Sequence, residues 1–104
     1  KITNLALQPI KIALPGLVAN ALTCTDEGGQ LTADEIEVWV RDADSEDIGQ
    51  NDLEIIIFAN DYPSRRETLD ERRQHIVWGL KGVLLKDIRG FVWVLLCPGS
   101  FSEF

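Results

Sequence analysis

The sequence predicts one small α+β domain made of two consecutive βαβ units, with one mixed sheet that carries two helices on one face. Each half of the 104-residue chain ends on the same triplet, because Val-Trp-Val at residues 38–40 is matched by Val-Trp-Val at residues 92–94. A strand-like apolar run and a helix-like stretch precede each triplet. Internal repetition of this kind predicts two equivalent units, which would span about residues 9–46 and 53–104.

In the first half, residues 9–14 predict a short strand because apolar side chains alternate with other types and β-branched residues are frequent. Residues 16–23 place apolar side chains at helical spacing. Thr32 and Glu35 have the spacing of a capping box. Residues 36–41 alternate again, which predicts a half-buried strand.

In the second half, residues 53–59 predict a central strand, because the unbroken Ile-Ile-Ile-Phe run is typical of burial on both faces. Residues 65–84 place apolar side chains on one face of a helix. Residues 92–96 predict a second buried strand. The acidic stretch at residues 42–47 predicts a solvated loop between the two halves.

Composition narrows the classes of function. With 17 acidic and 10 basic residues, the net charge is −7, which disfavours nucleic acid as a partner. The chain contains no run of about 18 apolar residues, so we expect no membrane span. We also expect no secretion signal. We therefore expect a cytoplasmic protein. Because the chain contains no Met, we also expect that residues precede Lys1 in the translated protein.

Cys24 and Cys97 are the only two cysteines in the chain. In a reduced compartment we expect them to act as small apolar residues, and a disulfide between them stays open because pairing cannot be deduced from sequence. One His and two Cys show no ligand spacing for a metal, so we expect neither a metal nor a cofactor.

The predicted layering leaves one face of the sheet without a covering element. Trp39, Trp93 and the aromatic C-terminal tail are too apolar for that face to stay in water. We therefore expect a homo-oligomer in which sheet packs against sheet.

At this level of detail the pattern resembles the tautomerase superfamily, which includes 4-oxalocrotonate tautomerase, carboxymethyl-hydroxymuconate isomerase and macrophage migration inhibitory factor. The resemblance runs from Pro9 to about Phe101. It is strongest over residues 53–73, where a strand, a turn with Ser64 and Arg65, and a charged helix follow in the family's order. The resemblance implies a tautomerase-like fold and, at this doubled length, a homotrimer.

The family's chemistry uses an N-terminal proline whose free amine moves a proton between the carbon and oxygen ends of an enol. Pro9 matches this position, but residues precede it, so its nitrogen is a tertiary amide without a basic lone pair. Lys11 could supply an amine instead. The resemblance implies that Arg41 and Arg65 bind the substrate carboxylate, with Tyr62 nearby. For each arginine, an exposed solubilising role is the alternative.

Three hypotheses follow. The first is a tautomerase-like small protein that acts on or binds small unsaturated 2-oxo acids, and that is an isomerase if active. The second is a non-catalytic oligomeric scaffold that binds a small molecule or a protein. The third is an unrelated ferredoxin-like binding domain with the same element order and different strand pairing. The first two are distinguished by whether Arg41 and Arg65 converge on Pro9 in one concave pocket.

Overall fold

The computed structural model describes residues 2–41, 48–49, 51–99, 102 and 104. The predicted acidic loop at residues 42–47 lies outside these residues. The described elements are, in chain order, α1 (Asn4–Leu22), a 3-10 turn (Ala33–Glu35), β1 (Leu53–Asn60), α2 (Pro63–Glu67), α3 (Leu69–Lys81) and β2 (Gly90–Cys97). The protein is therefore an α+β fold.

The second half of the chain forms a βαβ unit, as predicted. β1 and β2 pair in parallel, in a register that runs from Leu53 opposite Gly90 to Asn60 opposite Cys97. Along β1, the odd-numbered side chains face the helices and the even-numbered ones are exposed. The prediction of strands at residues 53–59 and 92–96 is confirmed, because continuous apolar runs with many β-branched residues favour strands. The prediction that they are buried on both faces is wrong, because Ile56, Phe58 and Trp93 are 47%, 70% and 55% exposed on the face that the helices do not cover.

The predicted strand at residues 9–14 is wrong, because these residues lie inside α1. The Thr3 hydroxyl caps this helix by accepting a hydrogen bond from the Ala6 N–H at 3.2 Å. Buried Ile10, Leu14 and Val18 recur every fourth residue, which is helical spacing. The predicted helix at residues 16–23 is therefore the second half of a longer one.

The strand predicted for residues 36–41 is not part of the sheet, whose described strands are β1 and β2. The backbone is extended at Ile36. Ile36 and Val38 pack against the core while Glu37 and Trp39 are exposed, so the predicted alternation of burial holds over residues 36–39 and ends at Val40, which is 50% exposed. The first half is consequently not a βαβ unit, and the described sheet is parallel rather than mixed. We call residues 36–41 the 36–41 segment.

The single helix predicted for residues 65–84 is two helices separated at Thr68, whose backbone leaves the helical region. The Thr68 hydroxyl donates to the Ser64 carbonyl at 3.1 Å and accepts a hydrogen bond from Arg72 Nε at 2.7 Å. Side-chain bonds to nearby backbone groups compete with helix continuation in this way. α3 ends at Lys81, before Gly82.

The helices cover one face of the sheet. Ile76 and Leu80 of α3 pack with Ile55 of β1 and Val94 of β2 in one core that also includes α1. The opposite face carries partly or largely exposed apolar side chains, namely Ile56 (47%), Phe58 (70%), Phe91 (39%) and Trp93 (55%). We call these four residues the open sheet face.

One described helix, α1, is long and apolar enough to cross a membrane when only length and composition are considered. Its Ile10, Leu14 and Val18 belong to the core, and the core helix of a soluble protein passes the same test. The cytoplasmic location of this compact chain stays a prediction.

Asp52, just before β1, is hydrogen-bonded to Arg89, just before β2. Its Oδ2 accepts a hydrogen bond from the Arg89 backbone N–H at 3.0 Å, and its own N–H donates to the Arg89 carbonyl at 2.8 Å. The Arg89 N–H bond holds the pKa of the Asp52 carboxyl below its usual value of 3.8.

We expect Asp52→Asn to lower the free energy of unfolding at neutral pH and to lose this effect in acid. A carboxyl whose pKa is lower in the folded chain than in the unfolded one adds stability above about pH 4 and loses it as the pH falls through the folded value. Urea unfolding at about pH 7 and about pH 3 measures the difference. Glu27→Gln, in an exposed loop, is the control. A difference that is equally large at both pH values would contradict the prediction.

Candidate functional site

A groove of about 810 Å³ lies beside β1, between α1 and the 36–41 segment. Every residue of β1 lines it, and so does every residue from Glu35 to Arg41. Successive side chains of a strand point to opposite faces, so a whole strand lines one groove only if the groove runs along its edge. β2 contributes its last residue, Cys97. The groove therefore follows the edge of β1 that faces away from β2, and we call it the β1-edge groove.

Four of the five predicted site residues line this groove: Lys11, Arg41, Tyr62 and Arg65. Pro9 is not among the lining residues. It is exposed on α1, and its nitrogen lies within the helix as a tertiary amide. The two predicted arginines thus share one concavity, but that concavity does not include Pro9.

Arg65 is buried, with 2% of its surface exposed. Its Nε donates to the Leu22 carbonyl at 2.7 Å, Nη1 to the Asn60 carbonyl at 2.9 Å and Nη2 to the Gly29 carbonyl at 3.0 Å. Its guanidinium also lies 5.1 Å from the centre of the Tyr62 ring. The guanidinium therefore joins three separate parts of the backbone, and its role as a carboxylate clamp stays a prediction.

Arg72, which the sequence reasoning missed, contributes to the same junction. Its Nη1 donates to the Ala21 carbonyl at 3.0 Å and to the Thr23 carbonyl at 2.6 Å. The last carbonyls of a helix lack partners within it and favour nearby cations. Because the last turn of α1 contains no basic residue, that missing charge is the sequence signal that could have suggested an arginine from elsewhere in the chain.

The loop that follows α1 is also fixed to α2. Asp26 Oδ2 accepts hydrogen bonds from the Ser64 N–H at 3.1 Å and from the Ser64 hydroxyl at 3.0 Å. The Gly29 N–H donates to the Asp26 carbonyl at 2.8 Å. These bonds present the Gly29 carbonyl to Arg65, so this end of the groove is rigidly built.

The predicted residues divide between two ends of the groove. Arg65 and Tyr62 lie at the carboxyl end of β1, where Leu22 also ends α1. Lys11 lies eleven residues earlier on α1, about 16 Å along the helix axis at about 1.5 Å per residue.

Arg41 is the last residue of the 36–41 segment, and it lines the same groove as Lys11. The Leu31 N–H donates to the Thr23 hydroxyl at 3.0 Å, which holds the chain ahead of this segment close to the end of α1.

The charged side chains that line the groove differ in their hydrogen bonds and ion pairs. Glu37 accepts a hydrogen bond from Trp39 Nε1 at 3.2 Å, and Glu54 accepts one from Asn51 Nδ2 at 3.2 Å. Lys11 is exposed, and its ammonium has no ion pair with another described residue. Lys11 is thus a groove cation without an ion pair among the described residues, and Arg41 is a further cation in the lining.

Both cysteines are free thiols. Cys24 is buried, and its Sγ donates to the Gly29 carbonyl at 3.6 Å, while Cys97 is exposed at the groove. The described residues include no group of three or more His, Cys, Asp or Glu side chains that could hold a metal ion.

No protein-family model matches this chain, and no curated protein or solved structure matches it either. The tautomerase resemblance therefore stays a prediction from the sequence, and the function has to be argued from the groove itself.

We expect Arg65→Met to lower the free energy of unfolding by about 3 kcal/mol or more, because hydrogen bonds to charged groups contribute about 1.5–3 kcal/mol each. Arg66→Met is the matched control. Arg66 is the next residue along the chain, its side chain is 58% exposed, and a change there should stay within about 0.5 kcal/mol. Urea unfolding of both variants measures the effect. Equal stabilities for the two variants would contradict the structural role of Arg65.

Proposed function

We propose that the β1-edge groove binds a small, partly apolar carboxylic acid, of the unsaturated 2-oxo acid class that the tautomerase resemblance implies. The observation that supports this most is that apolar walls and the cations Lys11 and Arg41 line one groove. Ligand sites in proteins are commonly concave, mostly apolar and equipped with a few polar groups that orient the ligand.

The walls and the cations have separate roles in this proposal. Ile36 and Val38 on one side, and Ile55 and Ile57 on the other, would cover the hydrocarbon part of the acid. A carboxylate loses hydration when it enters such a groove and needs charged donors in return. Because the chain as a whole carries a charge of −7, the acid would depend on local cations for its attraction.

The proposal is for binding, and catalysis by the tautomerase route stays a prediction. Pro9 is acylated at its nitrogen and lies outside the groove lining. A lysine acts as a base near neutral pH when it is buried, whereas Lys11 is exposed. An ultraviolet assay of enol–keto conversion, comparing the chain with its Lys11→Gln variant, tests whether turnover accompanies binding.

We expect 2-oxo-3-pentenoate to change the fluorescence of Trp39, which lines the groove, in a saturable way. Lys11→Gln and Arg41→Gln should each weaken binding by about tenfold, since one charge-assisted hydrogen bond is worth about 1.4 kcal/mol here. Lys86→Gln, whose lysine is exposed and outside the groove lining, should bind like the parent chain. The uncharged 2-oxo-3-pentenamide should bind more weakly than the acid.

Absence of saturable binding would contradict the proposal. It would also be contradicted if the acid bound equally well to the parent chain and to the double variant Lys11→Gln/Arg41→Gln.

We further propose that the open sheet face packs against a second copy of this chain, as expected for a homo-oligomer in which a trimer is favoured. Its three aromatic side chains, at about 200 Å² each, expose roughly 330 Å² together. A patch of this size is at the level of the largest patch on a typical monomer, about 300–600 Å². A standard interface buries about 800 Å² per partner, so the open sheet face would supply its apolar centre.

We expect Phe58→Glu and Trp93→Glu to shift the chain towards monomer, because each would place a charge in the centre of the apolar contact. Sedimentation velocity over a range of protein concentrations measures the change. Trp78→Glu is the matched control, because Trp78 is 64% exposed but lies on α3, away from the open sheet face. A parent chain that is monomeric at every concentration would contradict this part of the proposal.

A further inference from the structure

We propose that the acid bound in the β1-edge groove is a straight-chain 2-oxo acid of about twelve carbons. Its carboxylate would lie at Lys11, and its hydrocarbon chain would extend towards Arg65. This inference rests on the proposed function, because it assigns the chain length and the orientation of the acid bound at the same site.

The β1-edge groove is much larger than a five-carbon acid. Its volume is about 810 Å³, which lies in the upper part of the range of ligand pockets. The eight heavy atoms of 2-oxo-3-pentenoate fill about 240 Å³ if each takes the volume of a water molecule in the liquid, about 30 Å³. An acid of this size would leave most of the apolar lining without a ligand to contact, whereas a longer acid of the same class would contact more of it.

The groove is elongated along α1. Side chains three or four residues apart lie on one face of a helix, and six residues of α1 line the groove in such a row: Leu7, Ile10, Lys11, Leu14, Val18 and Leu22. The row extends over about 22 Å at about 1.5 Å per residue. Among these six residues Lys11 is the charged one, so the row is an apolar track with a cation near the amino end of the helix. A long unbranched hydrocarbon chain has the shape to follow it.

The distance between Lys11 and the Arg65 end of the groove sets the length of that chain. Lys11 lies eleven residues before Leu22, whose carbonyl accepts a hydrogen bond from Arg65 Nε, so about 16 Å separate them along the axis of α1. An extended hydrocarbon chain advances by about 1.25 Å per carbon, because its C–C bonds of about 1.5 Å meet at near-tetrahedral angles. About twelve carbons therefore cover the distance.

The accessibility of the cations determines the orientation of the acid. Lys11 is exposed, and its ammonium has no ion pair with another described residue, so it can donate a charge-assisted hydrogen bond to a carboxylate. Arg65, at the other end, is 2% exposed, and its Nε, Nη1 and Nη2 donate to backbone carbonyls. Ala59 and the Tyr62 ring line the groove at that end and offer apolar surface to the end of the chain.

The acid that fits carries one carboxylate. Glu35, Glu37 and Glu54 also line the groove, and their charges would repel a second carboxylate. A diacid of the same length would place that second group against the apolar surface beside Tyr62, where a carboxylate loses hydration without gaining an accessible charged donor. The groove therefore favours a monocarboxylic acid over a dicarboxylic acid.

The test is a chain-length series of saturated 2-oxo acids, measured by isothermal titration calorimetry at concentrations below those at which the acids form micelles. From 2-oxopentanoate to 2-oxododecanoate, the affinity should rise by up to about fourfold for each added CH₂, because burial of one methylene is worth about that factor. 2-Oxotetradecanoate should bind no better than 2-oxododecanoate, because its chain would reach past the Arg65 end. The diacid 2-oxododecanedioate should bind at least about tenfold more weakly than 2-oxododecanoate.

A substitution at the Arg65 end tests whether the chain lies in the groove. Ala59 lines the groove next to Asn60, whose carbonyl accepts a hydrogen bond from Arg65, so Ala59→Phe would fill this end with a ring. We expect Ala59→Phe to weaken 2-oxododecanoate binding by about tenfold and to leave 2-oxopentanoate binding unchanged, since the shorter acid stays near Lys11. Ala33→Phe is the matched control, because Ala33 is exposed and outside the groove lining.

Three results would overturn the inference. The first is equal affinity of the parent chain for 2-oxopentanoate and 2-oxododecanoate, a result that does not depend on whether Ala59→Phe folds. The second is an affinity that keeps rising by the same factor beyond 2-oxododecanoate, because the groove would then not limit the chain. The third is loss of 2-oxododecanoate binding in Trp93→Glu, because Trp93 lies outside the groove lining and the chain would then lie on the open sheet face.

The chain length of the acid and the proposed function are tested separately in the same experiment. Lys11→Gln should weaken 2-oxopentanoate and 2-oxododecanoate by the same factor, about tenfold, because both would place their carboxylate at Lys11. Equal affinities along the series, together with weaker binding in Lys11→Gln, would count against the chain length alone. A chain-length dependence that Lys11→Gln leaves unchanged at every length would count against the proposed role of Lys11 and, with it, against the orientation. Absence of binding by every acid would contradict both proposals.

Discussion

The fold depends on one buried guanidinium. Arg65 holds the carbonyls of Leu22, Gly29 and Asn60, which belong to the end of α1, the following loop and the end of β1. A buried charge is costly unless its donors are satisfied, so the three segments must keep the geometry that satisfies it. Arg72 adds a second cation at the same helix end. Arg65 and Arg72 supply the positive charge that the last turn of α1 lacks. Their hydrogen bonds also hold α1, which lines the groove, in a fixed position relative to β1.

The second half of the chain could be predicted from sequence because its local signals and its tertiary environment agree. Ile55, Ile56 and Ile57 favour a strand by residue type, and the strand they form pairs with β2 along its whole length. In the first half the signals conflict. Ile10, Ile12 and Leu14 fit a two-residue alternation, while Ile10 and Leu14 also fit a helix, and only packing decides. With Ile10 2% exposed and Ile12 79% exposed, the helical interpretation is the one that the core selects.

The candidate site could be predicted only in part, because local patterns identify residues but not their distant partners. The resemblance implies Arg41 and Arg65 with Tyr62 nearby, and the position of Lys11 close to Pro9 suggests it as an alternative amine. These four residues do line one groove. The burial of Arg65 could not be deduced, because its carbonyl partners Leu22 and Gly29 lie 43 and 36 residues away along the chain. A local pattern assigns a residue type to an element, but it does not say which distant backbone groups will need its charge.

The open edge and the open face of the sheet have one origin. Among the described residues, two strands with helices on one side leave a sheet without a partner both laterally, along β1, and vertically, over Ile56, Phe58, Phe91 and Trp93. A small isolated sheet of this kind is marginal in water unless more surface is covered. Packing of the open sheet face against a second copy would cover these four side chains, so association would supply part of the coverage that such a sheet needs.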